Sequence, residues 1–239
     1  MQLETIHIPR CRSLPGLEMK AFPNFQPVRL LSNGRRNYIV GSFFSLKTGR
    51  AQPWESHNER RGLEFAEIDP AVRCFCAQPF VMNWRESGKP RSYTPDRLEW
   101  RTDGSFRVVE VKHRREDLEA PELNARLEAV AIGVRAWGAE FAIEFGQELK
   151  EHPSHSFVQS VLYFRRTEIA HSDWMILDEL TGRNGCFEYG GFEAAYSTPQ
   201  IAFAKFASLL VRGQLSLSRL EQPAQDTPIR RALLEGADG

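Results

Sequence analysis

The sequence predicts an α/β protein: a sandwich of helices around a mixed sheet, followed by a smaller and mostly helical C-terminal part. Three features carry that expectation. The strongest turn signal, Asp103-Gly104, lies between two β-rich runs, SYTPDRLEWRT and SFRVVEVKH, as a hairpin requires. Residues 121–138 place apolar side chains at 123, 127, 130, 134 and 137, which is helical spacing, with Pro121 at the start and Gly138 at the stop. The segment order of helix, about three strands, helix and strand fits helices layered on a mixed sheet.

In chain order, residues 1–33 read as a Pro- and Arg-rich leader with turns, ending in NFQPVRLLSNGRRN. YIVGSFFSLKTGRAQPW (38–54) reads as a hairpin about Thr48-Gly49. A helix is expected over about 55–67, where Leu63, Ala66 and Ile68 form a partial stripe that Asp69-Pro70 stops. VRCFCAQPFVMNW (72–84) alternates like a strand or two, with Pro79 at a bulge or an edge. The Asp103-Gly104 hairpin and the 121–138 helix follow, then a strand, AEFAIEF. From about 151, HSFVQSVLYFRR and DWMILDELTG are helix candidates. An Ala-, Phe- and Leu-rich helix then ends at Arg212-Gly213, followed by a short strand QLSLSRL, a loop and TPIRRAL, the way a winged-helix subdomain ends. The expected division is thus 1–33 leader, 34–150 catalytic domain and 151–239 C-terminal domain.

Composition narrows the class. The 239 residues are 41% hydrophobic and 26% charged, enough to bury a sizeable core. Mean hydropathy of −0.43 and the lack of a long apolar run argue against a membrane-spanning helix. The start MQLETIHIPRCRSLPG lacks a signal pattern, so a cytoplasmic location is expected. Four scattered cysteines do not make a disulfide framework. The net charge is zero, but residues 29–115 hold 17 basic and 10 acidic side chains while the remainder holds 14 and 21. A basic centre is therefore cancelled by acidic flanks. Arginine supplies 25 of the 31 cations, the side chain best matched to phosphate, although a GC-rich genome also inflates it.

The chemistry concentrates in the central hairpin. Pro95-Asp96 stands on one strand and Glu110-Val111-Lys112 on the next. Period two puts Glu110 and Lys112 on one face and turns Val111 into the core. If the strands pair about their turn, Asp96 joins that face, and like charges so close need a divalent cation between them. Mg²⁺ suits such a site because it takes a few carboxylate oxygens and keeps several waters. The cation would stabilise charge developing on a phosphate and activate a water, with Lys112 orienting or deprotonating that water. Glu59, on the preceding helix, adds a third carboxylate. This is the PD-(D/E)xK pattern, common by chance when taken alone. Two features favour it here: the E-V-K lies within an apolar strand, VVEVK, and the pieces come in the expected order.

Five blocks, GSFFSLKTGR, ESHNERRGLEFAEIDPAV, QPF, GKPRSYTPD and VVEVK, run in order over residues 38–112. Together they resemble the N-terminal nuclease domain of TnsA-type endonuclease subunits of heteromeric transposases. In that family a Ser-x-Lys hairpin precedes an E-S-x-x-E helix, a Gln-Pro strand, Y-x-P-D and E-x-K. The resemblance implies a restriction-endonuclease-like fold and assigns Glu59, Asp96, Glu110 and Lys112 as catalytic. Glu110 falls where the family varies between Gln and Glu. It further implies that Glu59, Asp96, Glu110 and the Val111 backbone carbonyl hold Mg²⁺, with Mn²⁺ as a substitute. The implied activity is cleavage of the 5′, non-transferred strand at transposon ends. The implied partners are double-stranded DNA, an integrase-type transposase subunit that cuts the 3′ ends, and an AAA+ ATPase regulator that meets the C-terminal domain.

Lys47, Arg50, Arg60, Arg61, Arg91 and Arg114 flank the expected site and suit phosphate contacts, against the plainer reading of a solvated surface. Gln78-Pro79 reads as a strand edge rather than a catalytic glutamine, and Cys74 and Cys76 as small core residues rather than zinc ligands. His152-Pro153-Ser154-His155 reads as a helix start. Phe192, Tyr196, Phe203 and Phe206 read as C-terminal core. Two other functions compete: a stand-alone phage or repair nuclease of the same core, and a non-catalytic DNA-binding or assembly subunit. The balanced charge favours a nuclease delivered to DNA by a partner over a free-standing basic binder.

Overall fold

The computed structural model describes residues 2–9, 11–29, 39–182 and 185–232. The chain divides into two compact units, Met1–Glu67 with Ala71–Glu151 and Ile68–Pro70 with His152–Gly239. The fold is of the mixed α/β class that the sequence predicts.

The first unit opens with β1 (Glu4–Ile6) and β2 (Glu18–Ala21), then the hairpin β3 (Gly41–Ser45) and β4 (Arg50–Trp54). Helix α1 (His57–Ile68) leads into β5 (Val72–Ala77), β6 (Val81–Glu86), β7 (Lys89–Tyr93), β8 (Arg97–Arg101) and β9 (Phe106–Lys112). A 3-10 turn (Arg115–Glu119), α2 (Pro121–Trp137), β10 (Glu140–Phe145) and α3 (Gly146–Glu151) complete it. The central sheet runs β10-β9-β8-β5; β9 is antiparallel to β8 and parallel to β10. Because β9 and β10 run the same way, their connection has to cross over, and α2 is that crossover. The β6–β7 hairpin, inserted between β5 and β8, builds a second sheet in the order β1-β2-β6-β7.

That second sheet corrects the expectation of a leader. The alternation in Glu18-Met19-Lys20-Ala21 buries Met19 and Ala21, and β2 pairs with β6. Of the expected turn run NFQPVRLLSNGRRN, residues 30–37 lie outside the described residues. Met19, Phe80, Met82, Trp84, Leu98, Val108, Val130 and Val134 form one core between the second sheet, the central sheet and α2. Helix α2 ends as its sequence predicts. Gly138 takes φ 93°, and its N–H reaches the Arg135 and Val134 carbonyls.

The second unit holds α4 (His155–Phe164), α5 (His171–Thr181), β11 (Cys186–Glu188), α6 (Tyr189–Ala194), α7 (Pro199–Val211), β12 (Leu215–Ser216) and β13 (Pro228–Arg231). Its three strands form an antiparallel sheet in the order β11-β13-β12. Thr198 caps α7, its hydroxyl accepting from the Ile201 N–H at 3.2 Å, with Pro199 at the first helical position. Phe192 and Phe206 are fully buried and Phe203 packs on Phe206, the aromatic core the sequence predicts. His152 and Ser154 form the turn that starts α4, with His155 N–H bonded to the His152 carbonyl at 2.8 Å. Beneath α7, buried Asp173 accepts from Lys205 Nζ at 2.7 Å and from Tyr196 Oη at 3.1 Å.

Candidate active site

Three elements position the predicted site residues. Asp96 stands at the start of β8 behind buried Pro95, Glu110 and Lys112 share one face of β9, and Glu59 lies in the first turn of α1. The Val111 N–H meets the cluster by donating to Asp96 Oδ2 at 2.7 Å. On the same face, Lys112 Nζ donates to Glu110 Oε1.

Burial and mutual repulsion act on these acids together. Burial pushes the Asp96 carboxyl well above its usual range, and the Glu110 and Glu59 charges push it further, against the Val111 N–H and Lys112. Glu59 is also raised, mainly by burial and then by Glu55 and Glu110, against hydrogen bonds that lower it. Its bonds are local: Glu55 N–H at 2.8 Å and Ser56 Oγ at 2.9 Å. Ser56 Oγ in turn accepts from Glu59 N–H at 3.1 Å. Ser56-x-x-Glu59 is thus a helix cap, a role that the sequence alone did not reveal.

Glu110 departs from expectation in its burial. Val111 alone was expected to turn into the core, yet both residues are buried, at 3% and 8% exposure. The second sheet and α2 cover the Glu110 face, while α1 covers the Val111 face. Glu110 Oε2 is left buried without a hydrogen-bond partner.

Among the described residues no three His, Cys, Asp or Glu side chains stand grouped to hold a metal ion. The recess lined by Glu59, Leu63, Asp96, Val111 and Arg97, whose guanidinium pairs with Glu99 and Glu144, has no room for a water molecule. Even so, the residues fit Mg²⁺ in kind. They are hard oxygen donors, one of them buried and unpartnered, and Mg²⁺ needs only one or two carboxylates. The hydrogen bonds of the Glu59 carboxylate are to Glu55 and Ser56 at the start of its own helix.

The flanking cations divide by their partners. Lys47 Nζ donates to the Ala66 carbonyl at 2.9 Å and the Val72 carbonyl at 2.7 Å, which ties the β3–β4 hairpin to the end of α1. Buried Glu67 completes that tie, accepting from Ser45 Oγ and Leu46 N–H, both at 2.6 Å. Arg50 donates to the Asn24 carbonyl, Arg60 pairs with Glu64, and Arg61 bonds Asn58 Oδ1. Arg114 lies near Glu116 and Asp117. Arg91 pairs with Glu86 on the wall of a cleft of about 670 Å³ between the β6–β7 hairpin and α2. Arg50, Arg60, Arg91 and Arg114 are exposed, as a surface that meets phosphate requires.

Two further groups belong to this region and were missed. Tyr93 is the tyrosine of Tyr-x-Pro-Asp, and its phenol is raised by burial, then by Glu110 and Asp96, so it stays protonated. Arg97 is buried beneath α1, donating to Glu99 Oε1 at 2.9 Å and Glu144 Oε1 at 2.7 Å. Gly62 makes room for it: a Cβ there would lie 2.6 Å from Arg97 Nη1. Burial pushes the Cys76 thiol up to about 12, in keeping with a packed core residue.

No protein-family model and no curated protein matches the chain. No helix among the described residues is long and apolar enough to cross a membrane.

Proposed function

We propose that this chain is a Mg²⁺-dependent DNA endonuclease with a restriction-endonuclease-like core. We further propose that it acts as the nuclease subunit of a heteromeric transposase, cutting the 5′ strand at transposon ends in the cytoplasm. The observation that carries the reading is that Asp96, held by the Val111 N–H of β9, shares one recess with Glu59 of α1, while Glu110 and Lys112 on either side of Val111 bond each other. The order α1-β5-β8-β9-α2-β10, with its parallel β9–β10 pair, is the helix–strands–helix–strand series expected of such a core. The second unit's helices and three-stranded sheet support a winged-helix-like appendage, through which an ATPase regulator would dock.

A bound Mg²⁺ would supply Lewis-acid stabilisation of the charge developing on the scissile phosphate. Asp96 and Glu110 would hold it, Glu59 would join on leaving its helix cap, and Mn²⁺ would substitute. The chain's own residues do the positioning. The Val111 N–H fixes the Asp96 carboxylate, and Glu110 keeps the Lys112 ammonium at the site, where it can orient a water or neutralise the phosphate. Arg50, Arg60, Arg91 and Arg114 would hold the flanking backbone.

The test is strand nicking on transposon-end DNA with Mg²⁺ and the transposase subunit present. Asp96→Ala and Lys112→Ala should abolish nicking while partner binding persists. Full nicking by either folded variant would overturn the assignment.

A further inference from the structure

We infer that Gln78 belongs to the same cation site, contributing its side-chain carbonyl as a neutral oxygen donor beside Asp96. The inference rests on the endonuclease reading and adds a residue to it.

Gln78 follows β5 and is 3% exposed. The β5–β8 register pairs Ala77 with Arg97, and one step further the Gln78 N–H donates to the Asp96 carbonyl at 2.9 Å. The Gln78 carbonyl accepts from Val28 N–H at 2.9 Å, so the backbone is held on both sides. Between these bonds its φ is 48°, a left-handed conformation that favours glycine, and Pro79 follows directly. Its side-chain Oε1 is buried with no hydrogen-bond partner.

The left-handed backbone angle and the unpaired oxygen both work against stability. Glycine would accept the backbone angle without strain, and an apolar side chain would leave no oxygen desolvated and unpaired. Strain and an orphaned acceptor on one residue, tied to Asp96, are what a ligand-facing group shows before its ligand arrives. The chemistry of the neighbourhood says which ligand. Asp96, Glu110 and Glu59 already repel one another, so another carboxylate would add to the repulsion. A carboxamide oxygen is a hard donor without charge, of the kind that joins carboxylates around Mg²⁺ or Ca²⁺.

The experiment is calorimetric titration of the full chain with Mn²⁺ alone, comparing wild type, Gln78→Gly, Gln78→Glu and Asp96→Asn, with melting temperatures alongside. Gln78→Gly should melt at or above the wild-type temperature and bind Mn²⁺ about ten-fold more weakly, in the range seen when supporting groups of metal sites are removed. Gln78→Glu, which restores an oxygen, should recover wild-type affinity or exceed it. Wild-type affinity in folded Gln78→Gly overturns the inference. Should Gln78→Gly fail to fold, Gln78→Asn tolerates the same φ and withdraws the oxygen by one methylene, and the same two outcomes apply to it. Binding lost in Asp96→Asn but kept in Gln78→Gly removes Gln78 alone. Binding unchanged in Asp96→Asn, or absent from the wild type, removes the cation site and Gln78 with it.

Discussion

The Val111 amide donates to the Asp96 carboxylate at 2.7 Å, so the strand that carries Glu110 and Lys112 also aims the acid on its neighbour. A peptide N–H fixed in a sheet has little freedom. It holds Asp96 in place even though burial and two nearby carboxylates disfavour its charged form.

That balance predicts opposite effects on stability and activity. Asp96→Asn keeps an oxygen for the Val111 N–H and removes one of the mutually repelling charges. At neutral pH it should be more stable by about 1 kcal/mol, or about 2–4 °C in melting temperature. Its nicking should fall by about a thousand-fold or more. Scanning calorimetry and a nicking assay on the same preparation check both.

Gly62 is the contact point between α1 and the buried Arg97. A Cβ at this position would come within 2.6 Å of Arg97 Nη1 and 3.2 Å of Glu144 Oε2. Gly62→Ala should therefore lower stability by about 1–3 kcal/mol, the usual result of overpacking. Arg97→Leu should cost more, about 3–5 kcal/mol, because Glu99 and Glu144 would lose their buried partner. Chemical denaturation of the two variants checks the order.

Lys47 separates structural from DNA-contacting cations. Its ammonium joins the Ala66 carbonyl near the end of α1 to the Val72 carbonyl at the start of β5. Lys47→Met should cost about 1–3 kcal/mol in stability and leave the salt dependence of DNA binding unchanged. Arg91→Met should leave stability nearly unchanged and reduce the salt slope by about one. DNA affinity measured across a salt series, with melting temperatures, distinguishes them.

Asp173 governs an acid-sensitive part of the second unit. Burial would raise its carboxyl, but bonds from Lys205, the Ala170 N–H and Tyr196 outweigh burial and hold it below its ordinary 3.8. A depressed folded value gives stability that is present above the unfolded value and lost as pH falls through the folded one. The stability difference between wild type and Asp173→Asn should be full at pH 7 and shrink as pH drops below about 4. Melting curves over that range read it directly.

Much of the site was legible because its signals are local. Asp103-Gly104 fixes a hairpin, VVEVK fixes a strand, and period two fixes Glu110 and Lys112 to one face, as found. The burial of Glu110 was not legible. Alternation in a single strand says which side chains share a face, and what covers that face is set by elements far along the chain. Here the cover includes β2, drawn from a segment whose Pro and Arg content reads as a leader. The role of Lys47 was hidden in the same way, since a lysine near a site reads as a phosphate contact until the carbonyls it reaches are known.

The sequence by itself determined the class of fold, the order of its elements and which residue types could do chemistry, because turn propensity and apolar periodicity act over a few residues. Only the tertiary structure decided that Asp96, Glu110 and Glu59 crowd one another, that Arg97 is buried under Gly62, and that Gln78 is strained against Asp96. Those relationships span 14 to 51 positions of chain. Their energies come from desolvation and from charges packed together, which no local pattern records.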